Sequence, residues 1–98
     1  MCLLVCADKN IAWKNAEGST YEIDASIVAT HMMLEATNLK VDNIWIRNFD
    51  SEKIKSVFRL SENIEPVCIL PIGYRALDCP QNPFHIVRKP LENFVIYV

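Results

Sequence analysis

Residues 19–38, STYEIDASIVATHMMLEATN, restrict the possible folds more than any other stretch of this sequence. Apolar side chains in it recur nearly all round the circumference of a helix: Ile23, Ala25, Ile27, Val28, Ala29, Met32, Met33, Leu34 and Ala36. A helix with this pattern is buried on all sides, not laid on a surface. A chain of 98 residues cannot surround it, because a domain of this size buries only about 60–65% of its unfolded surface. We therefore predict that a second subunit, or a missing part of the fold, covers the helix.

The ends of this helix carry sequence signals. Ser19-Thr20-Tyr21-Glu22 has the spacing of a capping box, in which a hydroxyl and a glutamate satisfy free backbone N–H groups. We expect the helix to run from there to about Asn38. Small residues within it, Ala25, Ala29 and Ala36, allow a neighbouring helix to approach closely.

Composition excludes several classes of function. Hydrophobic residues make up 51% of the chain, which is high for a small domain, and the net charge is −2 without a basic stripe. These features argue against a nucleic-acid partner. No apolar run reaches the ~20 residues of a membrane span. The start, MCLLVCADKN, lacks a basic segment and a cleavage site, so it reads as a strand instead of a signal peptide. We expect a cytoplasmic protein.

No motif of a familiar catalytic or metal site is present. The four cysteines form no C-x-x-C pair, and His31 and His85 lie far apart, so we expect reduced structural thiols and no metal. The sequence has no G-x-G-x-x-G, G-K-[ST], H-E-x-x-H or G-x-S-x-G. His31 falls inside the long helix, where a hydrogen-bonded structural histidine is the expectation. We predict no catalytic side chain.

The remaining pattern predicts an α+β fold in a single domain, residues 1–98. Short apolar runs at 2–7, 41–46 and 65–74 are typical of buried strands, and residues 8–18 of a loop. Asp50 is placed to cap a shorter helix over 51–60. Pro71 is expected to interrupt the last strand near its end. The apolar tail, 91–98, favours an added strand. We expect a small mixed sheet with one long buried helix and one shorter helix.

Two features do not fit pure packing. In NIWIRNFD the apolar strand stops abruptly at Arg47-Asn48. Arg75, Arg88 and Lys89 flank a proline-rich loop, and such residues near a strand end suit a phosphate. The alternative for these three residues alone is a solvated basic loop.

The ordered set of segments resembles the C-terminal half of the FMN-dependent nitroreductase family. The similarity covers nearly the whole chain: LLVCAD, IDASIVATHMMLEATNL, NIWIRNFD, SEKIKSVFRL, EPVCILPIGYR and HIVRKPLE. No single segment is diagnostic, and their order and spacing carry the likeness. The second segment is similar to the helix that forms the dimer core of that family, which implies a homodimer.

The resemblance implies a flavin site. The turn after the NIWI strand lies beside the isoalloxazine ring in this family, where backbone N–H groups face the flavin N5 and O4. The matching positions are Ile46, Arg47 and Asn48, although many relatives carry glycine in this turn. In the PIGYR segment, the resemblance implies that Gly73 allows close backbone approach. It assigns the FMN phosphate to Arg88 with Lys89 beside it, and Arg75 is a weaker candidate.

The resemblance also implies a function, and it implies that this chain carries only part of the residues needed for it. It implies an oxidoreductase in which NAD(P)H reduces FMN and the flavin reduces nitroaromatics, quinones or related acceptors. Family members are about twice this length, and their N-terminal half supplies further flavin contacts. We therefore expect either a truncated product or a second polypeptide that complements the chain. The alternative function is a non-catalytic remnant that dimerises or binds a partner through its apolar helix and tail.

Overall fold

The computed structural model describes residues 1–98 and contains five strands and two α-helices. The strands are β1 (Cys2–Asp8), β2 (Lys14–Asn15), β3 (Gly18–Ser19), β4 (Asp42–Asn43) and β5 (Ile64–Gly73), and the helices are α1 (Tyr21–Asn38) and α2 (Ser51–Phe58). Short 3-10 helices follow at Pro83–His85 and Leu91–Asn93. Neither α-helix combines the length and the apolar character that crossing a bilayer requires.

The main sheet is built around β5. Strand β5 lies between β1 and β4, and β2 pairs with β3 in a separate small hairpin. The long pairing runs antiparallel from Cys2 opposite Pro71 to Asp8 opposite Ile64. Every strand pair is antiparallel, so the α+β class is confirmed, but the sheet that we expected to be mixed contains no parallel pair.

The expected interruption at Pro71 does not occur. Strand β5 continues to Gly73, because the carbonyl of Pro71 still accepts a hydrogen bond from Ile44 N–H (3.3 Å) and Ile72 N–H donates to the carbonyl of Met1 (2.7 Å). Proline lacks only the backbone N–H donor, and a strand tolerates its loss where no carbonyl of a neighbouring strand requires that donor. The strand predicted at 41–46 is reduced to β4 and a single bridge between Ile46 and Ile69.

The core is small, and α1 contributes to it through alanines. Ala25 and Ala29 pack with sheet residues in one cluster: Val5, Val67, Cys68 and Leu70. Small side chains let the helix backbone lie close to the sheet. Tyr21, Met32 and Met33 pack partly against this cluster. Other large apolar residues of α1 face solvent, and Ile23 is 62% and Leu34 64% exposed. Within this chain the helix is therefore buried on one face only, and the burial expected all round is wrong for the single chain.

The two helix starts differ in how they are capped. Asp50 caps α2 as predicted, since its Oδ1 accepts from Lys53 N–H at 3.0 Å. At α1 the capping box is wrong. Thr20, and not Ser19, occupies the N-cap position, and its side chain accepts no bond from a helix N–H. Ser19 belongs to β3, and both hydroxyls face the carbonyl of Trp13, while Thr20 Oγ1 also lies 3.0 Å from Oδ2 of Asp24. These contacts use the hydroxyls as donors, whereas a cap needs the side-chain oxygen as an acceptor.

Residues 76–98 form an extended segment, which we call the arm. Every hydrogen bond made by the arm stays within it. All of its residues except Val95 are exposed. The radius of gyration, 16.6 Å, exceeds the ~13 Å typical of a compact chain of this length. The strand expected at 91–98 does not form, because no strand of the chain lies beside this segment to pair with it.

Candidate functional site

The turn that follows β4 is fixed to the sheet at one residue. Ile46 N–H donates to the carbonyl of Ile69, and Ile69 N–H donates back to the carbonyl of Ile46, both at 2.9 Å. The two residues thus form a hydrogen-bonded antiparallel pair. The N–H of Ile46 is consumed by this pair, so the expectation that it faces a ligand is wrong.

The next two residues present free backbone donors. Neither Arg47 N–H nor Asn48 N–H donates to any acceptor in the chain, whereas Phe49 N–H bonds to the carbonyl of Arg47 (3.0 Å). Both residues are exposed, between half-buried Ile46 and Phe49. These adjacent N–H groups lie between the Ile46–Ile69 bridge and the capped start of α2, and free backbone donors of this kind can bind negative charge.

The side chain of Arg47 adds a positive charge beside these donors. Its Nη2 lies 3.4 Å from Oε1 of Glu22 in the first turn of α1. Its Cζ lies 5.2 Å from the ring centroid of Phe49, within the range of a cation–π contact. The sequence did not indicate that Glu22 contacts Arg47, because a contact between residues 25 positions apart leaves no local pattern.

Gly73 and Arg75 lie at the other end of the same sheet edge. Gly73 pairs with Asp42, and Ile69 and Gly73 are four residues apart on β5, which is about 13 Å along a strand. Arg75 contacts Asp42 twice, through its N–H (3.1 Å) and its Nε (3.9 Å). A Cβ added to Gly73 would meet no atom within 4 Å, so the surface there is open to a ligand.

Arg88 and Lys89 lie in the arm. The Nη1 of Arg88 donates to the carbonyls of Phe84 and Val87, each at 2.9 Å. Lys89 makes neither a hydrogen bond nor an ion pair. The structure brings neither residue into hydrogen-bonding contact with the turn or with Gly73. Their role at a phosphate stays a prediction.

The cysteine thiols and the His31 imidazole show no sign of a catalytic environment. Burial, together with the charge of Glu65, raises the pKa of the Cys6 thiol, and burial raises the pKa of the Cys68 thiol. Thiols with raised pKa values stay protonated and unreactive at neutral pH. His31 is hydrogen-bonded as expected, through Nδ1 to the carbonyl of Ile27 (2.8 Å), but its ring is exposed. No cluster of metal-ligating side chains occurs.

A broad apolar groove of about 660 Å³ lies on the uncovered face of α1. It is bounded by the start of β1, the end of β5 and the length of the helix. Its apolar lining consists of Met1, Leu3, Ile27, Val28, Met32, Ala36, Leu39, Val41 and Ile72. The polar side chains at its wall are those of His31 and Glu35. A surface this apolar is typical of a protein–protein contact.

Comparison with known proteins decides the family. The sequence profile described as "Nitroreductase family" matches residues 1–74. The chain belongs to the nitroreductase family. The match includes the 46–48 turn, Gly73 and both α-helices, and it ends two residues before the arm. No match was found among curated proteins.

Solved nitroreductase structures agree with this assignment. A nitroreductase family protein from Clostridium difficile 630 is 38% identical, with a TM-score of 0.88 over 98% of this chain and 58% of its own. One from Clostridium novyi NT is 27% identical, with a TM-score of 0.70 over 76% of this chain and 42% of its own. One from Streptococcus pneumoniae TIGR4, 19% identical with a TM-score of 0.68 over 80% of this chain and 37% of its own, shares the fold. The chain thus spans little more than half the length of the first of these nitroreductases and less of the other two.

The nitroreductase family consists of flavin-dependent oxidoreductases, and two features of this chain are compatible with such a ligand. The free N–H groups of Arg47 and Asn48 are donors without acceptors, and the surface at Gly73 is open. Both lie on one sheet edge, within the span of a single elongated ligand. The arm residues Arg88 and Lys89 do not add to this edge within one chain.

Proposed function

We propose that this chain supplies the C-terminal half of an FMN-dependent NAD(P)H oxidoreductase that reduces nitroaromatics, quinones or related acceptors. The observation that carries the proposal is the pair of unpartnered N–H groups at Arg47 and Asn48. Backbone donors in folded proteins pair with protein, water or a ligand. Two adjacent donors without a protein acceptor, in a turn that the family places beside flavin, support a ligand at this position.

The contribution of the chain is binding and electrostatics. Flavin, when bound, supplies the hydride chemistry. The N–H groups of Arg47 and Asn48 would donate toward the ring atoms where negative charge develops, and the Arg47 guanidinium adds a positive charge nearby. Preorganised donors at such a point stabilise developing charge without reorganisation. No side chain here needs to act as a general acid or base, which agrees with the protonated, unreactive thiols.

The phosphate end of the cofactor has fewer contacts. Arg75 stands beside open Gly73, although Asp42 already neutralises part of its charge. Arg88 and Lys89 would contribute only after the arm docks onto a flavin-bearing unit. Each missing charge-assisted bond withholds roughly 1.5–3 kcal/mol. We therefore expect FMN affinity in the micromolar range or weaker for the chain by itself.

We propose a homodimer, or a complex with an N-terminal half, as the complete form. The apolar groove on α1 and the arm support this proposal. The arm exposes a series of large apolar side chains: Leu77, Phe84, Ile86, Val87, Leu91, Phe94, Ile96, Tyr97 and Val98. Together they present more apolar surface than a monomer normally leaves exposed. The cytoplasm is the compartment we propose, with reduced cysteines.

A second candidate is a non-catalytic dimerisation module. The observation that favours it is that the apolar surface of α1 and the arm exceeds what the flavin edge needs. The two candidates differ in one property, since only the first requires flavin.

The test is equilibrium dialysis of the purified chain against FMN, followed by addition of NADH or NADPH. We expect saturable binding near one FMN per subunit, with a dissociation constant in the micromolar range or above. Nanomolar binding by this chain alone would refute the half-built site. Absence of saturable binding, in a chain that still associates, would favour the dimerisation module.

A further inference from the structure

Glu22 and Arg47 form an exclusive ion pair across two elements. Glu22 lies in the first turn of α1, and Arg47 lies in the turn after β4. Their side chains approach to 3.4 Å, and neither makes a second ion pair. Both remain about half exposed, at 49% for Arg47 and 56% for Glu22. Such a pair adds little to stability, so stability gives no reason for its position.

The guanidinium of Arg47 is contacted from two sides. Glu22 lies on one side, and the ring of Phe49, two residues along the same turn, lies on the other. The carboxylate of Glu22 therefore offsets part of the positive charge of the turn that carries the N–H groups of Arg47 and Asn48, which lack acceptors.

We propose that Glu22 is a positioning residue that sets how much positive charge Arg47 presents to the flavin, and thereby sets the preference of the site for reduced over oxidised flavin. This inference rests on the proposed flavin site. Oxidised isoalloxazine is neutral, whereas the two-electron reduced ring carries negative charge after it loses a proton. A nearby positive charge favours the reduced form, and a carboxylate that pairs with the positive charge weakens this preference.

The sign of the effect follows directly. Glu22→Gln removes the negative charge that offsets Arg47, and the contact with Phe49 keeps the guanidinium at the turn, so reduced FMN should bind more tightly relative to oxidised FMN. Arg47→Gln removes the positive charge, so the preference should shift the other way. Because both groups are half exposed, we expect changes of about threefold or more at low ionic strength that shrink as salt rises.

The experiment measures the dissociation constants of oxidised FMN and of dithionite-reduced FMN under anaerobic conditions. The proteins are the full-length chain, Glu22→Gln, Arg47→Gln and the double variant. The matched control is Glu62→Gln, which makes the same charge change at an exposed carboxylate that forms no ion pair and lies outside the groove. Glu62 precedes the start of β5, which lies about 17 Å along the strand from Ile69. Circular dichroism verifies that each variant is folded.

We expect Glu22→Gln to raise the ratio of the oxidised to the reduced dissociation constant, and Glu62→Gln to change it much less. In the Arg47→Gln background the same substitution should have a smaller effect, because Glu22 acts through Arg47. An equal effect in both backgrounds would overturn the positioning role, as would an unchanged ratio in a variant that binds both forms. A chain that binds neither form overturns the proposed flavin site itself, and this inference with it. Riboflavin should reproduce the pattern, since the effect is at the ring.

Discussion

At Arg47 and Asn48 the proposed flavin contact depends on backbone N–H groups that have no acceptor in the chain. The sequence predicted a break after the strand at these residues, because the apolar run ends there. It could not predict that the N–H of Ile46 is unavailable to a ligand, because that depends on the pairing of Ile46 with the distant Ile69. Nor could it predict the contact of Glu22 with Arg47. Local pattern locates a turn, and long-range pairing decides which of its donors remain free.

Asp8 gives a pH prediction at the same scale. Hydrogen bonds from Asn63 Nδ2 (2.8 Å) and Asn10 N–H (2.9 Å) lower the pKa of Asp8 below its ordinary value of 3.8. A lowered folded-state pKa contributes stability above the unfolded pKa, and this stability is lost as pH falls through the folded value. Wild type should therefore exceed Asp8→Asn in stability at about pH 6, and the difference should shrink below about pH 3.8. Urea unfolding across roughly pH 2–6 measures this, and a difference independent of pH would contradict it.

Substitution of Arg88 tests whether this residue contacts the FMN phosphate or the flavin ring. If the arm docks onto the flavin site, Arg88→Ala should weaken FMN much more than riboflavin, which lacks the phosphate. Titration of both flavins provides the comparison. Equal weakening of FMN and riboflavin would show that Arg88 acts on something other than the phosphate.

At the scale of elements, strong periodicity was informative and local capping signals were less so. The predicted helices and the strands at 2–7 and 65–74 were found with small shifts of their ends. The capping box at residues 19–22 is wrong because Ser19 belongs to β3, and the Ser19 and Thr20 hydroxyls act as donors instead of accepting from a helix N–H. The apolar residues all round α1 predicted that other parts of the protein surround the helix. Within the single chain, the fully buried residues of α1 are Ala25, Ala29 and Ala36.

The two faces of α1 should respond differently to charge. Ala29 is 0% exposed in the core, whereas Leu34 is 64% exposed. Ala29→Glu buries an unpaired carboxylate and should cost about 3 kcal/mol or more of unfolding free energy. Leu34→Glu should leave the fold intact and weaken self-association. Urea unfolding and sedimentation distinguish the two, and equal destabilisation by both would mean that the faces are misassigned.

At the scale of the whole molecule, the chain has more apolar surface than it can bury. Only 8 of its 98 residues are buried, and it covers 58% of the Clostridium difficile protein that it matches over 98% of its own length. The open groove and the arm show where apolar surface is left without cover. Sequence reasoning could not identify the cover, because partner surfaces leave no spacing pattern in a single chain.

Self-association is the prediction at this scale. Sedimentation at micromolar concentration should show an assembly, because a monomer would expose the groove and the arm together. Removal of residues 76–98 should weaken the assembly and leave the β1–β5 pairing intact, since the arm makes no hydrogen bond to it. A compact, well-folded monomer of the full chain would contradict this expectation.

The central claim is that the free N–H groups of Arg47 and Asn48 bind flavin, and FMN titration of Arg47→Pro tests it most directly. Proline deletes the N–H, and that N–H bonds to nothing in the chain, so the fold should survive, as circular dichroism will verify. Arg47→Ala is the matched control, because it removes the side chain and keeps the donor. We predict that Arg47→Ala binds oxidised FMN nearly as wild type does and that Arg47→Pro loses binding. Equal affinity of wild type and a folded Arg47→Pro, or equal losses in both variants, would contradict the account.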